Sequence, residues 1–239
     1  MAKQPNLFFL GLFIAIGLAS CGYFASQTIY NAKVALNTAE SKGLAERRVR
    51  ADRANWVIRF TVADKNKSSI PALYKKAEAN QETIISILKE QGFEDHEMNI
   101  GVIDYYHQEF RDNNRVLVDQ NHQLTGSIHI ETENIEAISP ARAVIGKLIT
   151  KGINIRSEAP QYLFTKLNEI KPDMLKEATK NARLAANEFA QNAGVNVGGI
   201  RSAHQGSFYI RDAGSDYGDT AKIDKDVRVV TTITFYLTD

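Results

Sequence analysis

The sequence predicts an α+β fold: antiparallel or mixed sheets with helices packed on one face, preceded by an N-terminal hydrophobic helix. Three observations lead there. Asn55 to Val62, Leu124 to Glu131 and Val227 to Leu237 each alternate side chains with period two, the signature of strands with one apolar face. Lys171 to Gly194 repeats instead at helical spacing. Three times a helical pattern closes on glycine, at Gly92, Gly152 and Gly194, and hands over to a strand pattern. That recurrence suggests repeated strand–helix–strand units, and hairpins mixed with helices place the helices on one sheet face.

Taken in order, the chain begins with Leu7 to Ala25, 19 residues without a charge. At about 1.5 Å per residue this run is roughly 28 Å long, close to the hydrocarbon thickness of a bilayer. Lys3 precedes it and Lys33 is the next charge, which favours a cytoplasmic N-terminus with the body outside. An uncleaved signal anchor is favoured because the apolar run continues past Cys21 through Tyr23, Phe24 and Ala25. Leu18-Ala19-Ser20-Cys21 also looks like a lipobox, making Cys21 the candidate lipidation residue, and an ordinary cleaved signal peptide is the third reading. Residues 1–26 are therefore read as membrane anchor or signal, 27–42 as a polar linker, and 43–239 as the folded α+β domain.

Leu44 to Ala63 reads as one long or two consecutive strands, with Trp56, Ile58, Phe60 and Val62 on the apolar face and Trp56 as a core anchor. A turn at 65–69 leads into a helix from Pro71 to about Gln91. Met98, Ile100 and Val102 start a strand that continues into the aromatic cluster Tyr105, Tyr106, His107 and Phe110. After a polar tip at 111–115, the hairpin returns along 116–132. A second helix starts at Asn134 or at Ser139-Pro140. Gln161 to Leu167 is a strand candidate, and Val197 to Ile210 another, with Gly206 as a bulge.

The long helix of 172–193 organises the rest. Pro172 suits its first turn, and Leu175, Ala178, Ala182, Ala185, Ala186, Phe189, Ala190 and Ala193 share one side. A stripe of alanines lets a helix lie close on a sheet, and enlarging Ala182 or Ala185 is expected to overpack it.

This helix, with Gly198, Ile200, Arg201, Ala203, Gln205, Gly206, Phe208 and Ile210 after it, resembles the SIMPL-domain family of bacterial envelope proteins. Gly43 to Arg47, Ala51-Asp52, Trp56, Gln161 to Thr165 and Val227 to Thr232 extend the resemblance across most of residues 40–239. The resemblance implies an extracytoplasmic location, self-association into larger rings and a loose link to envelope stress. It brings no catalytic motif.

Hydrophobic content of 44% and charged content of 24% are ordinary for a globular protein. Net charge is +1, from 29 basic and 28 acidic residues, which gives no footprint for nucleic acid. The basic residues Arg47, Arg48, Arg50 and Arg53 suit an exposed strand face. One cysteine excludes an intrachain disulfide. The histidines His96, His107, His122, His129 and His204 show no ligand spacing, and Asp95-His96-Glu97 looks like a polar loop. Asp212, Asp216, Asp219, Asp224 and Asp226, with Gly214 and Gly218, could wrap calcium but match no calcium-binding repeat, so a solvated turn is favoured. Neither a nucleophile elbow nor a phosphate loop is present.

These features predict a non-enzymatic, membrane-tethered extracytoplasmic protein that works by protein binding or self-assembly, without catalytic residues, cofactor or metal. A homo-oligomer and envelope proteins are the expected partners, with subunit contacts at Tyr105–Phe110 or along Val227–Leu237. The alternatives are a hydrolase-like periplasmic enzyme, for which an acid beside His107, His122 or His204 would speak, and a small-ligand or metal carrier.

Overall fold

The computed structural model describes residues 7–34 and 37–238. Its elements run α1 (Leu7–Val34), β1 (Thr38–Arg50), β2 (Arg53–Asp64), α2 (Ile70–Glu90), β3 (Met98–Ile100), β4 (Asp104–Arg111) and β5 (Leu117–Thr132). They continue α3 (Ile135–Gly146), β6 (Asn154–Ser157), β7 (Gln161–Leu163), α4 (Leu167–Asn192), β8 (Asn196–Gln205), β9 (Tyr209–Asp212) and β10 (Asp224–Thr238). The architecture is α+β, with strands in two sheets.

The apolar helix Phe9–Tyr30 within α1 is 22 residues long, about 33 Å, with none of its hydrophobic window buried. It has the length and composition of a membrane anchor or a signal sequence. Helix continues to Val34 and β1 begins at Thr38, so regular structure occupies most of the stretch read as a linker.

Where the sequence suggests one domain, the chain divides into two compact units. One gathers the chain up to Glu46, Lys171–Phe208 and the segment from Arg228; the other holds Arg47–Ile170 and Tyr209–Val227.

In the larger unit the sheet order is β3-β5-β2-β6, with β4 also pairing β5 and β7 also pairing β2. β2 and β5 run antiparallel from Ala54 opposite Thr132 to Asp64 opposite His122. Strand parity then puts Trp56, Ile58, Phe60 and Val62 on one face with Ile130, Ile128, Gly126 and Leu124. Leu73, Ala77, Ile84 and Leu88 of α2, with Ile138, Ala141 and Ile145 of α3, complete this core. Gly126 is required there: a Cβ would overlap the Phe60 ring lying across it. α2 ends as its glycine signal predicts, with Gly92 at φ 93°. α3 takes the earlier of its two starts, so Pro140 falls inside the helix and forfeits one backbone bond. Burial of Ile138, Ala141 and Ile145 offsets that loss.

In the other unit the sheet order is β1-β10-β8. β10 is central, paired on both sides, so Val227–Leu237 offers no free edge for a subunit contact. α4 lies on this sheet through Met174, Ala178, Ala182, Ala186 and Ala190, all buried. Gly43 of β1 meets it so closely that a Cβ would overlap the Ala178 carbonyl oxygen. Ser41 Oγ donates to Ala182 O at 2.7 Å and Asn181 Nδ2 donates to Leu44 O at 2.8 Å. Three details differ from the sequence reading. The helix begins at Leu167, which puts Pro172 inside it. Met174 replaces Leu175 in the buried stripe. Ala185, Phe189 and Ala193 face out, Phe189 with 63% exposure. The contact follows the i±4 ridge, inclined about 26° to the helix axis, and so leaves the broader stripe predicted around Leu175.

Candidate functional site

Two constellations in the larger unit gather polar chemistry. The first is the arm formed by β4 and the start of β5. The strands pair from Asp104 opposite Thr125 to Phe110 opposite Asp119, with a register shift before Arg111. Every residue of β4 is exposed. Tyr105, Tyr106, Phe110, Val116, Leu117 and Val118 all present large apolar surface to solvent. The tip is nonetheless well ordered by its own polar groups. Asp112 Oδ1 accepts the N–H groups of Asn114 at 2.9 Å and Val116 at 2.8 Å, and Arg115 turns the chain at φ 64°. Lys65 Nζ donates to Asp119 Oδ2 at 2.6 Å, fastening the arm near its outer end, opposite Phe110, to the residue that follows β2. That hydrogen bond, with the Gln120 N–H, holds the Asp119 carboxyl below its ordinary pKa.

At the root sits a ring stack. His107 lies opposite His122, with ring centroids 4.5 Å apart and planes 4° from parallel. Tyr105 Oη and His122 Nδ1 share a hydrogen bond of 2.7 Å. His122 is 1% exposed, yet its Nε2 has no hydrogen-bond partner. In either tautomer, one ring nitrogen is satisfied by Tyr105 and the other is orphaned in the interior. At the strand's outer end Arg111 clasps Glu109 through Nε at 3.1 Å and Nη2 at 2.6 Å. Hydrogen bonding to Arg111 and its charge hold the Glu109 carboxyl below its ordinary range.

The second constellation is the acidic loop between β9 and β10. Asp216, Asp219 and Asp224 are exposed, as a solvated turn requires, but the base of the loop is a closed knot. Lys225 is fully buried, and its Nζ donates to Asp212 Oδ1 at 2.5 Å and to Asp219 O at 2.6 Å. Asp212 also accepts the N–H groups of Ala221 at 2.9 Å and Lys222 at 3.1 Å. Burial pushes the Asp212 carboxyl upward, but the Lys225 hydrogen bond, the two backbone N–H groups and the Lys225 charge outweigh it, and the net shift is downward. An ammonium stands among the residues considered for calcium, and Asp212 turns its Oδ1 to it. Among the described residues no group of three or more His, Cys, Asp or Glu side chains converges on a metal position.

The remaining candidates disperse. Trp56 is buried and its Nε1 donates to Ser157 Oγ at 3.0 Å, a core anchor. Glu94 and Glu97 cap the turn around His96, and Glu97 also accepts from Thr132 Oγ1 at 2.6 Å. His129 and His204 are exposed. Cys21 is exposed midway along α1. Around the basic residues, Arg48 pairs with Asp226 at 2.9 Å, Arg50 with Glu136, and Arg53 approaches Glu133 at 3.8 Å. Arg48, Arg50 and Arg53 are thus each matched by an acid.

The burial of His122 and of Lys225 escaped the sequence reading, and both left the same signal. His122 is in phase with Leu124, Gly126 and Ile128, and Lys225 with Val227 and Val229, so period two alone puts each on a buried face.

Residues 40–235 match the SIMPL family model, described as a protein of unknown function (DUF541). The chain belongs to the SIMPL family. No curated protein matches it. Among solved structures, a hydrolase from Listeria innocua aligns over 81% of this chain and 91% of its own at 13% identity, with a TM-score of 0.19. A likeness that weak carries no argument about this SIMPL chain. The residues that bear the family resemblance do structural work in this fold. Gly43, Ala178 and Ala182 bring helix and sheet together, and Asp52 accepts from Thr165 N and Oγ1, both at 2.6 Å.

Proposed function

We propose that this protein is tethered by α1, displays its folded units outside the cytoplasm in the cell envelope, and acts by protein binding or self-assembly rather than by catalysis. One observation carries the reading: an ordered arm whose eight-residue outer strand is wholly exposed and bears Tyr105, Tyr106 and Phe110. An apolar, well-ordered projection of this kind is characteristic of a contact surface. Two groups that could do chemistry are otherwise engaged. The Asp212 carboxylate is taken up by Lys225, and His122 meets a tyrosine and a second imidazole rather than an acid.

Light scattering on the full chain in detergent micelles tests this. A protein mass of several chains at tens of micromolar supports it; a single chain, with no partner recovered from an envelope extract, overturns it. Intact mass of the membrane-extracted protein tests the tether. The unprocessed chain is expected, and an acylated Cys21 as first residue would replace the helical anchor with a lipid one.

A further inference from the structure

We propose that β4 pairs edge to edge with β4 of a second copy of this chain, about a two-fold axis that sets Gln108 opposite Gln108. This rests on the reading of the arm as a contact surface, and names its partner and register.

β4 pairs with β5 on one side only, so its other edge presents the unpaired backbone groups of an eight-residue strand. The opposite margin of the same sheet is made of β6 and β7, four and three residues long, too short to template much pairing. β8, in the other unit, is a longer exposed edge, but Gly198 and Gly199 specify its register poorly.

Symmetry narrows the ways in which two β4 strands can meet. Antiparallel pairing about a two-fold axis normal to the sheet brings together only residues that share a face, so the axis must pass through a residue position. Centred on Glu109, two carboxylates oppose each other. Centred on His107, Asp104 faces Phe110 and Tyr105 faces Glu109. Centred on Tyr106, the overlap shrinks to 104–108 and joins no opposite charges. Centred on Gln108, every pair is complementary. Tyr106 meets Phe110 twice on one face, with the two Gln108 amides between them. On the other face His107 meets Glu109 and Tyr105 meets Arg111, each twice. The stack on His122 backs His107 from its own sheet, and the Arg111 clasp keeps Glu109 an anion.

Disulfide capture in the full chain, in micelles, reads the register directly. In a Cys21→Ser background, Gln108→Cys, His107→Cys and Glu109→Cys are compared under mild oxidation. Directly opposed strand residues lie about 5 Å apart at Cα, within disulfide reach, whereas residues displaced by two positions lie about 8 Å apart. Gln108→Cys is expected to form a covalent dimer about ten-fold faster than either neighbour. A mixture of Tyr106→Cys and Phe110→Cys chains is expected to form the heterodimer in preference to either homodimer. Fastest capture at position 107 or 109 overturns the register. No capture at any of the three, in a background that light scattering shows to be assembled, overturns the edge pairing and leaves the arm's contact role standing. A background that scatters as single chains overturns the edge pairing, and overturns the contact role as well if no partner is recovered from an envelope extract.

Discussion

The arm and the knot begin alike and end differently. In each, a strand's apolar face starts with a residue that elementary patterning would place in water: His122 on β5, Lys225 on β10. At Lys225 the surroundings close completely: a carboxylate and a carbonyl accept from the ammonium, and backbone N–H groups complete the carboxylate's own bonds. At His122 they close only halfway; one nitrogen is bonded, the other is orphaned, and the strand beyond carries its aromatic side chains into solvent. A closed polar cluster fixes a loop. A half-closed one beside an unpaired edge marks a surface not yet covered. Under the proposed function, that difference separates the part of the molecule that holds its shape from the part that meets a partner.

Removing one member of the buried ion pair is expected to have the largest effect. Asp212→Ala leaves the Lys225 ammonium buried without its carboxylate and costs about 3–5 kcal/mol in denaturant unfolding of the full chain in micelles. Acid probes the same pair. Because the folded state holds Asp212 below its ordinary value of 3.8, the pair's contribution is complete above that value and is lost as pH falls toward the depressed one. Thermal stability should therefore be level from neutral pH to about 5 and decline below about 4. A decline already complete at pH 5 would dissolve the contrast with the arm.

His122→Phe is expected to go the other way. It replaces a ring with an orphaned nitrogen by one without, and Tyr105, half exposed, recovers its hydrogen bond from water. Stability should stay level or rise by about 1 kcal/mol; a loss of the size seen at Asp212 would show that the imidazole is as fully engaged as the ammonium. The smallest effect on stability is expected at the outer strand. Tyr106→Ser with Phe110→Ser should change unfolding by no more than about 0.5 kcal/mol, as for exposed sites generally, while abolishing association in light scattering. Unchanged association would remove the arm from the contact.

Much of this organisation was legible in the sequence, and the reasons differ by element. Trp56 to Val62 and Leu124 to Ile130 alternate so regularly that strand and buried face follow from period two. Gly92 and Gly152 announce their helix ends by their positive φ. β6 was missed because Asn154–Ser157 is too short to show a period. β8 and β9 read as one strand with a bulge, yet they part at Gly206. Its N–H donates to Val230 O at 2.9 Å, and a Cβ there would crowd the same oxygen. No local pattern announces that contact. The fit of Phe60 over Gly126 was equally out of reach, being a matter of tertiary register. The hairpin was visible as an aromatic cluster around a polar tip. The burial of His122 and Lys225 was not, because a titratable residue type points to solvent while its phase in the alternation points inside.

Hydrogen exchange measured against protein concentration tests the contact role of the arm most directly. If β4 is an edge that a second copy covers, its amides gain protection as concentration rises, while those of Asp212–Asp226 stay equally protected throughout. β4 amides that exchange at one rate from the most dilute to the most concentrated sample would contradict it.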